Sequence, residues 1–381
     1  MRKFLTAISM FTTFLAFGQD KDLAFLYSST FHHDSVAAPS LTDASPSLIK
    51  NEFAGFNLAV MLSAGKATKK ILGYSQKKKA IEAYYFPGTS SKKALVIGGV
   101  HGSELSSVEV AKRLIGQLSK GEKPYYSVII IPSLFPDNAA TAEACKHDRV
   151  VKNTGRYTHD EAIDPNRQLP SLGTPFRLNN PVDAYGRVIE KENQLLLQLL
   201  QAYQPDRIVN LHAIRDYGKA GIYADPRTDC DGNALGYASD SLLAVTMAKY
   251  VDEKGGNVYG NKIKTGPTAL YHLDPKPVAR GEKQKRNLVG ANTKGKINGV
   301  SLGSWASTGV CDEQTNYRRP AMRILTVEFP GYKKPAEYRF ADDRQWYNDL
   351  VSLYASSIHR YFLGAYCVEE NNEGEKSFAS R

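Results

Sequence analysis

The sequence lacks the features that mark several protein classes. Of its 381 residues, 49 are Lys or Arg and 39 are Asp or Glu, and the net charge of +10 is spread without a basic arm or a heptad pattern. A nucleic-acid partner and a coiled coil are therefore not expected. Hydrophobic residues make up 42% of the chain and charged residues 23%, which excludes a disordered or collagen-like protein. After the first eighteen residues no apolar run is long enough for a membrane span, so stable membrane insertion is not expected.

Cysteine is also scarce. The four cysteines are widely spaced and form no CxxC pair, so we do not expect a zinc site built from thiolates. They are Cys145, Cys230, Cys311 and Cys367. One disulfide, two or none are all compatible with this spacing.

The first eighteen residues have the pattern of a secretory signal peptide. The basic start Met1-Arg2-Lys3 precedes an uncharged apolar stretch over 4–17, and small residues lie before Gln19. This pattern predicts cleavage after Gly18 and a protein that is secreted or periplasmic. A membrane anchor is the alternative, but the apolar stretch is short for a span.

Short apolar runs alternate with helical patterns along the chain. Four runs read as buried strands, at 94–97, 127–131, 207–211 and 324–327. Apolar residues at helical spacing follow in four stretches, near 108–118, 195–203, 242–251 and 346–362. The alternation predicts an α/β fold, with a mixed, mostly parallel central sheet flanked by helices on both faces.

Three predicted strand ends carry residues that can bind a metal. His101 and Glu104 follow the first strand in a Gly-rich turn, His212 follows the third, and Glu328 follows the fourth. Ligands of open α/β sheets bind beyond the carboxyl ends of the strands. Two histidines and one glutamate, with a fourth position left to water, make a catalytic zinc site. Glu328 would then be the base that takes the proton of the water.

Each of these residues also has a structural interpretation. Glu104 is favoured at the start of a helix, His212 is a common type of buried structural residue, and Glu328 could pair with Arg323. A polar loop adds Asn166 and Arg167, which suit a substrate carboxylate because an arginine fork binds it through two parallel hydrogen bonds. Because the candidate metal ligands and Glu328 are all predicted at one edge of the sheet, a functional site is favoured over separate structural roles.

In their order, four motifs resemble the signature of the zinc carboxypeptidase family, over roughly 75 to 335. They are His101-x-x-Glu104, Asp164-Pro-Asn166-Arg167, Leu211-His212 and Thr326-Val-Glu328. The resemblance implies a carboxypeptidase-like fold and one Zn²⁺ per chain, held by His101, Glu104 and His212. It further implies Glu328 as the general base and Asn166 with Arg167 as the holders of a substrate carboxylate.

The resemblance also implies an arginine that polarises the scissile carbonyl. Arg156 fits the short-spaced members of the family and Arg149 the longer-spaced ones, and we favour Arg156. The chain departs from digestive-type members in having no mobile tyrosine at the usual distance before the base. Instead, the segment Gly299–Trp305 is similar to bacterial murein-peptide amidases of this superfamily. Trp305 is therefore expected to contact the substrate.

These observations predict a secreted zinc peptidase or amidase that hydrolyses a peptide bond next to a free carboxylate, in a murein or other peptide. A basic loop over 276–296 is expected to rim the crevice and attract anionic substrates. We expect a single zinc peptidase domain over 19–368, with 19–70 set apart as an N-terminal extension, and a polar tail over 369–381. The oligomeric state stays open.

Three other functions are compatible with parts of the sequence. A deacylase of small N-acyl amino acids, of the desuccinylase or aspartoacylase type, would use the same ligands, but its members are usually cytosolic. A non-catalytic binding module would not need the complete set of reactive groups. The sequence Gly299-Val-Ser301-Leu-Gly303 also matches GxSxG, with Asp342 or Asp343 and His359 downstream. A basic loop, not the apolar strand that a nucleophile elbow needs, precedes it.

Overall fold

A computed structural model describes residues 56–145, 152–158, 163–235, 238–264, 270–271 and 298–365. In this part seven strands form one central sheet, and four more form two small sheets. The strands are β1 (Thr68–Tyr74), β2 (Ala80–Phe86), β3 (Lys93–Ile97), β4 (Ser127–Ile131), β5 (Arg207–Ile214), β6 (Gly221–Ala224), β7 (Lys262–Lys264), β8 (Leu270–Tyr271), β9 (Val310–Asp312), β10 (Tyr317–Arg319) and β11 (Arg323–Pro330). The helices are α1 (Leu58–Ser63), α2 (Leu105–Lys120), α3 (Pro136–Ala144), α4 (Lys191–Tyr203), α5 (Ala238–Glu253), α6 (Leu302–Ala306) and α7 (Ala341–Ser357).

The central sheet has the strand order β1-β2-β4-β3-β5-β11-β6. Its four central strands, β4, β3, β5 and β11, run parallel to one another. The strands β1, β2 and β6 add antiparallel pairs at the two sides. The expectation of a mixed, mostly parallel sheet is confirmed. Because parallel neighbours end at the same edge, the segments that follow β3, β5 and β11 lie close together.

Alternate residues of the central strands face two hydrophobic cores. In β3, Val96 belongs to the core that also contains residues of α2, α5 and α7. Leu95 and Ile97 belong to the other core, with residues of α1, α4 and α6. The sheet therefore carries helices on both faces, which is why its central strands read as continuous apolar runs.

The predicted strands and helices are all present, and several further elements were not predicted, among them α3 and β6. The helix α3 is rich in alanine and lacks an apolar stripe, and the strand β6 has only four residues. Neither is long or patterned enough for a periodicity argument. The tertiary pairing of β6 with β11 makes it a strand.

The expected signal peptide, most of the N-terminal extension, the polar tail and the basic loop over 276–296 lie outside the described residues. Residues 56–70 of the extension are described. Phe56 and Met61 are buried in the same core as Leu72 of β1. Among the helices that the structure describes, none is both long and apolar enough to cross a membrane.

One disulfide is present among the described cysteines. Cys230, in the loop after β6, is bonded to Cys311 of β9, with the two Cα atoms 5.6 Å apart. Cys145 at the end of α3 is a free thiol. Cys367 lies outside the described residues. The bond closes a loop with a sequence separation of 81 residues.

We predict that replacing both Cys230 and Cys311 with alanine lowers the free energy of unfolding by about 2–4 kcal/mol, because the unfolded chain regains the entropy that the cross-link removed. Chemical denaturation of the oxidised proteins measures this difference. Cys145→Ala is the matched control and should leave the denaturation midpoint close to that of the parent. Equal midpoints for the double variant and the parent would contradict the prediction.

Candidate active site

His101 and Glu104 lie in the tight turn between β3 and α2. Gly99 has a left-handed backbone (φ 63°), and a Cβ on Gly102 would lie 2.3 Å from the backbone of Asn138. Glycine suits both positions, so the turn can pack directly against α3. Glu104 is the residue before α2, where the positive end of the helix dipole favours a carboxylate. Both His101 and Glu104 are buried.

His212 and Glu328 lie on neighbouring parallel strands. The register places Glu328 of β11 beside His212 of β5, so both side chains project from the same face of the sheet. His212 is buried and Glu328 is partly buried. Within the described residues, Glu328 forms no side-chain hydrogen bond or ion pair. Its carboxylate therefore has no structural partner among the described residues.

The side chains of His101, Glu104 and His212 meet at one place. Ligand atoms of His101, Glu104 and His212 all lie within 4.8 Å of one another. The Nδ1 of His101 lies 2.9 Å from Glu104 Oε1, and the Nδ1 of His212 lies 3.0 Å from Glu104 Oε2. The structure thus brings together the three residues that the sequence proposes as metal ligands, in a buried His-Glu-His cluster.

The hydrogen bond between His101 and Asp164 tests whether a metal fits this cluster. Asp164 Oδ1 lies 2.9 Å from His101 Nε2, and a carboxylate only accepts, so Nε2 carries a proton. The Nδ1 lone pair then faces the carboxylate of Glu104, and these two acceptors stay close only with a proton or a metal cation between them. The donor set therefore fits a metal. Asp164 therefore orients the His101 ring. Asp164 belongs to the sequence motif, but this role was not predicted from the sequence.

The charges around the cluster shift the pKa values of its carboxylates and of His101. Burial would raise the pKa of Glu104, but His101 and His212 hold it well below its ordinary value. Burial likewise opposes ionisation of Asp164, whereas His101 and the nearby arginines hold its pKa low. Both carboxylates are therefore ionised at neutral pH. The pKa of His101 is raised, because Glu104 and Asp164 outweigh the effect of burial.

Glu328 has the opposite shift. Burial raises its pKa above the ordinary value, and Glu104 adds to this, although His212 opposes it. Two carboxylates with pKa values moved in opposite directions, side by side, are typical of an acid–base site. The raised pKa makes Glu328 easier to protonate than an ordinary glutamate, which suits a group that takes up and releases a proton.

Arg156 reaches the cluster from the loop that precedes Asp164. Its Nη1 donates to Glu104 Oε1 and, at 3.2 Å, to the hydroxyl of Tyr332. Burial would lower the pKa of Arg156, but Glu104 raises it, so the guanidinium is permanently charged. Burial also raises the pKa of Tyr332 to about 12, so its phenol stays protonated. Tyr332, four residues after Glu328, is a site residue that the sequence reasoning missed.

Asn166 and Arg167 lie beside the cluster, on a 3₁₀ turn over Pro165–Arg167. The amide of Asn166 lies between His212 and the start of α6, with Nδ2 at 3.3 Å from His212 Nε2 and Oδ1 accepting from the Leu302 N–H. Arg167 Nη1 donates to the Asn166 carbonyl, and its Nε has no partner among the described residues. Burial lowers the pKa of Arg167. A desolvated guanidinium with an unused donor suits an anionic ligand.

The structure corrects the expectation for Trp305. The indole is fully buried, its Nε1 donates to the Thr174 carbonyl at 3.1 Å, and the guanidinium of Arg319 stacks 4.4 Å from the ring centre. Trp305 is thus a core residue of α6 and is not placed to contact a substrate. Its glycine-rich surroundings look like a loop in the sequence, and only the tertiary packing encloses the ring.

The serine of the GxSxG sequence also has a structural role. Ser301 caps α6, with its Oγ accepting from the Ser304 N–H at 3.1 Å. Asp342 and Asp343 open α7, and His359 lies beyond the far end of that helix, near Gly121. Arg149, the second candidate for the carbonyl-polarising arginine, lies outside the described residues.

Comparisons with known proteins give structural likeness without sequence matches. No protein-family model and no curated protein matches the chain. A protein from Shewanella amazonensis assigned as a metallopeptidase is similar, with 17% identity and a TM-score of 0.43, covering 81% of this chain and 91% of that one. The murein-tripeptide amidase MpaA from Escherichia coli O157 has 17% identity and a TM-score of 0.36, covering 78% and 96%. Carboxypeptidase A from Helicoverpa armigera has 13% identity and a TM-score of 0.38, covering 78% and 70%.

In the order of its four motifs, the chain resembles the zinc carboxypeptidase family. The TM-scores are below 0.5, so the roles of individual residues rest on the geometry of this chain.

We predict that Asp164→Asn weakens metal binding by about 10- to 100-fold, because the amide no longer fixes the protonated Nε2 of His101 as a carboxylate does. Competition with a chromophoric chelator measures the affinity in the purified protein. His101→Ala should bind still more weakly, since a ligand itself is lost. Asp183→Asn, which changes a buried aspartate paired with Arg187, is the control and should bind as the parent does. Unchanged affinity in Asp164→Asn would show that Asp164 does not orient the ligand.

Proposed function

We propose that the protein is a secreted, zinc-dependent peptidase or amidase that hydrolyses a peptide bond next to a free carboxylate, in a murein peptide. The observation that carries the proposal is the buried cluster of His101, Glu104 and His212 with the uncommitted carboxylate of Glu328 beside it. Two imidazoles and one carboxylate suit zinc, which prefers nitrogen and oxygen ligands in a four-coordinate site with one open position.

Zinc, when bound, supplies the Lewis-acid chemistry that lowers the pKa of a water. Glu328 takes a proton from the attacking water and passes it to the leaving nitrogen, a transfer favoured by its raised pKa. Arg156 stays charged beside Glu104 and donates hydrogen bonds to the oxygen on which negative charge develops. Asp164 holds the first histidine in the ring orientation that the site requires.

Arg167 anchors the substrate. Its unused Nε and partly buried guanidinium suit the carboxylate of the residue that leaves. Anchoring fixes the scissile bond relative to Glu328, and holding two reacting groups in place is itself a large part of catalysis. A murein peptide, with several free carboxylates, satisfies this anchor better than a peptide without charge.

Two features support an exported protein. The N-terminal eighteen residues have the pattern of a signal peptide, and the chain carries a disulfide between Cys230 and Cys311. Disulfides form and persist in oxidising compartments such as the periplasm and the extracellular space. Murein peptides are met in the same compartments, so the proposed substrate and the proposed location agree.

We predict that Glu328→Gln retains about one zinc per chain but lowers kcat by about 10²- to 10⁴-fold, because the base is lost while the ligands remain. Metal analysis and peptide hydrolysis on the same preparation separate these two properties. Ser301→Ala is the control and should remain active, since Ser301 caps α6. Loss of zinc in Glu328→Gln would make Glu328 a ligand. Activity that survives zinc removal and disappears in Ser301→Ala would establish a serine hydrolase.

We also predict that Arg167→Gln raises KM for peptides with a free terminal carboxylate by about 10- to 100-fold, because a charged hydrogen bond is lost. Peptides with an amidated C-terminus should be poor substrates of the parent and unaffected by the change. Murein tripeptides, apolar peptides and N-acyl amino acids complete the panel. Equal cleavage of free and amidated peptides by the parent would remove the anchoring role. A preference for N-acyl amino acids would favour a deacylase.

A further inference from the structure

A third arginine lies at the same edge of the sheet. Arg215 directly follows β5, three residues after His212, and its side chain is exposed. Its guanidinium donates to the amide oxygen of Asn153, which is neutral. Among the described residues no carboxylate pairs with Arg215. The adjacent Asp216 is turned away to Lys219, with the charged atoms 3.6 Å apart.

Two other arginines, in the segment that precedes α4, are paired with carboxylates, in contrast to Arg215. Arg177 pairs with Asp312 at 2.9 Å, and Arg187 pairs with Asp183 at 2.6 Å. These pairs hold loops in place and leave little charge for a ligand. Arg215 has only a neutral acceptor, so its positive charge is not neutralised within the described part of the chain.

A short chain of contacts joins Arg215 to the metal site. Its guanidinium carbon lies 5.2 Å from the centre of the Tyr332 ring. The hydroxyl of Tyr332 accepts from Arg156, which in turn donates to Glu104. Stacking on an aromatic ring fixes the plane of a guanidinium and leaves its edge free to bind a planar anion. Arg215 is therefore held, with donors available, one aromatic ring away from the groups around the reacting bond.

This position differs from that of Arg167. Arg167 reaches the cluster through Asn166 and lies near Asp164, on the loop that contacts both histidines. Arg215 lies at the end of β5 and is connected to the cluster by its contact with Tyr332, which in turn contacts Arg156. Successive residues of an extended peptide advance by about 3.3–3.6 Å, so charged groups on the two sides of the scissile bond are separate and each calls for its own cation.

We propose that Arg215 binds a second carboxylate of the substrate, carried by the residue on the amino side of the scissile bond. The proposal rests on the proposed function, which assigns the carboxylate of the leaving residue to Arg167. It names the substrate class as peptides with an acidic residue just before the cleaved bond. Both an α-linked glutamate, through its side chain, and a γ-linked glutamate, through its free α-carboxylate, carry such a group.

The test compares matched peptides that differ only in glutamate or glutamine at that residue, in α-linked and γ-linked forms. The parent should prefer the acidic member by about 10- to 100-fold in kcat/KM, the range of one charged hydrogen bond. Arg215→Gln should remove this preference, and Arg215→Lys should keep part of it because the charge remains. Arg113→Gln is the control, since Arg113 is an exposed arginine bonded to Ser352 on another surface.

A binding measurement separates this inference from the proposed function. Calorimetry with Glu328→Gln and with Glu328→Gln/Arg215→Gln, using the same peptides, measures discrimination without turnover. Discrimination that depends on Arg215 supports the inference even if the parent hydrolyses no peptide, in which case only the proposed function fails. The inference is overturned if the preference for the acidic peptide survives in Arg215→Gln. It is also overturned if the preference follows an acid on the leaving side of the bond alone.

Discussion

The candidate site depends on the buried carboxylate of Glu104. Its two oxygens contact both histidines, Arg156 and the backbone N–H of Ala213. A buried charge is tolerated only when it is fully paired, so these contacts have to form together. In doing so they join the turn after β3, the end of β5 and the loop that carries Arg156. One carboxylate thus fixes the relative positions of three segments that are far apart in the sequence.

The parallel arrangement of the strands explains why the site could be found from the sequence. His101, Glu104, His212 and Glu328 each follow or end an apolar run, and parallel strands deliver such residues to one edge. Their meeting requires that these strands lie in one parallel sheet, and the alternation of apolar runs with helical patterns predicts such a sheet. This is why the fold class and the ligand cluster were predictable from local patterns.

Other residues depend on tertiary contacts that no local pattern contains. Trp305 lies in a glycine-rich stretch, and its burial comes from Arg319 and Thr174 elsewhere in the chain. Tyr332 and Arg215 become neighbours only because β5 and β11 are adjacent. The pairing of Cys230 with Cys311 is likewise decided by the packing of the loop after β6 against β9. The spacing of the four cysteines in the sequence does not determine this pairing.

The register between β5 and β11 has a consequence for how the gene can vary. Glu328 faces the site because it is paired with His212, and its neighbours Val327 and Phe329 point into the core. Moving the strand by one residue would exchange these faces, placing an apolar side chain at the site and a carboxylate in the core. Substitutions that preserve size and polarity are therefore tolerable along β11. A single-codon insertion or deletion within the strand would remove both the fold and the site in one step.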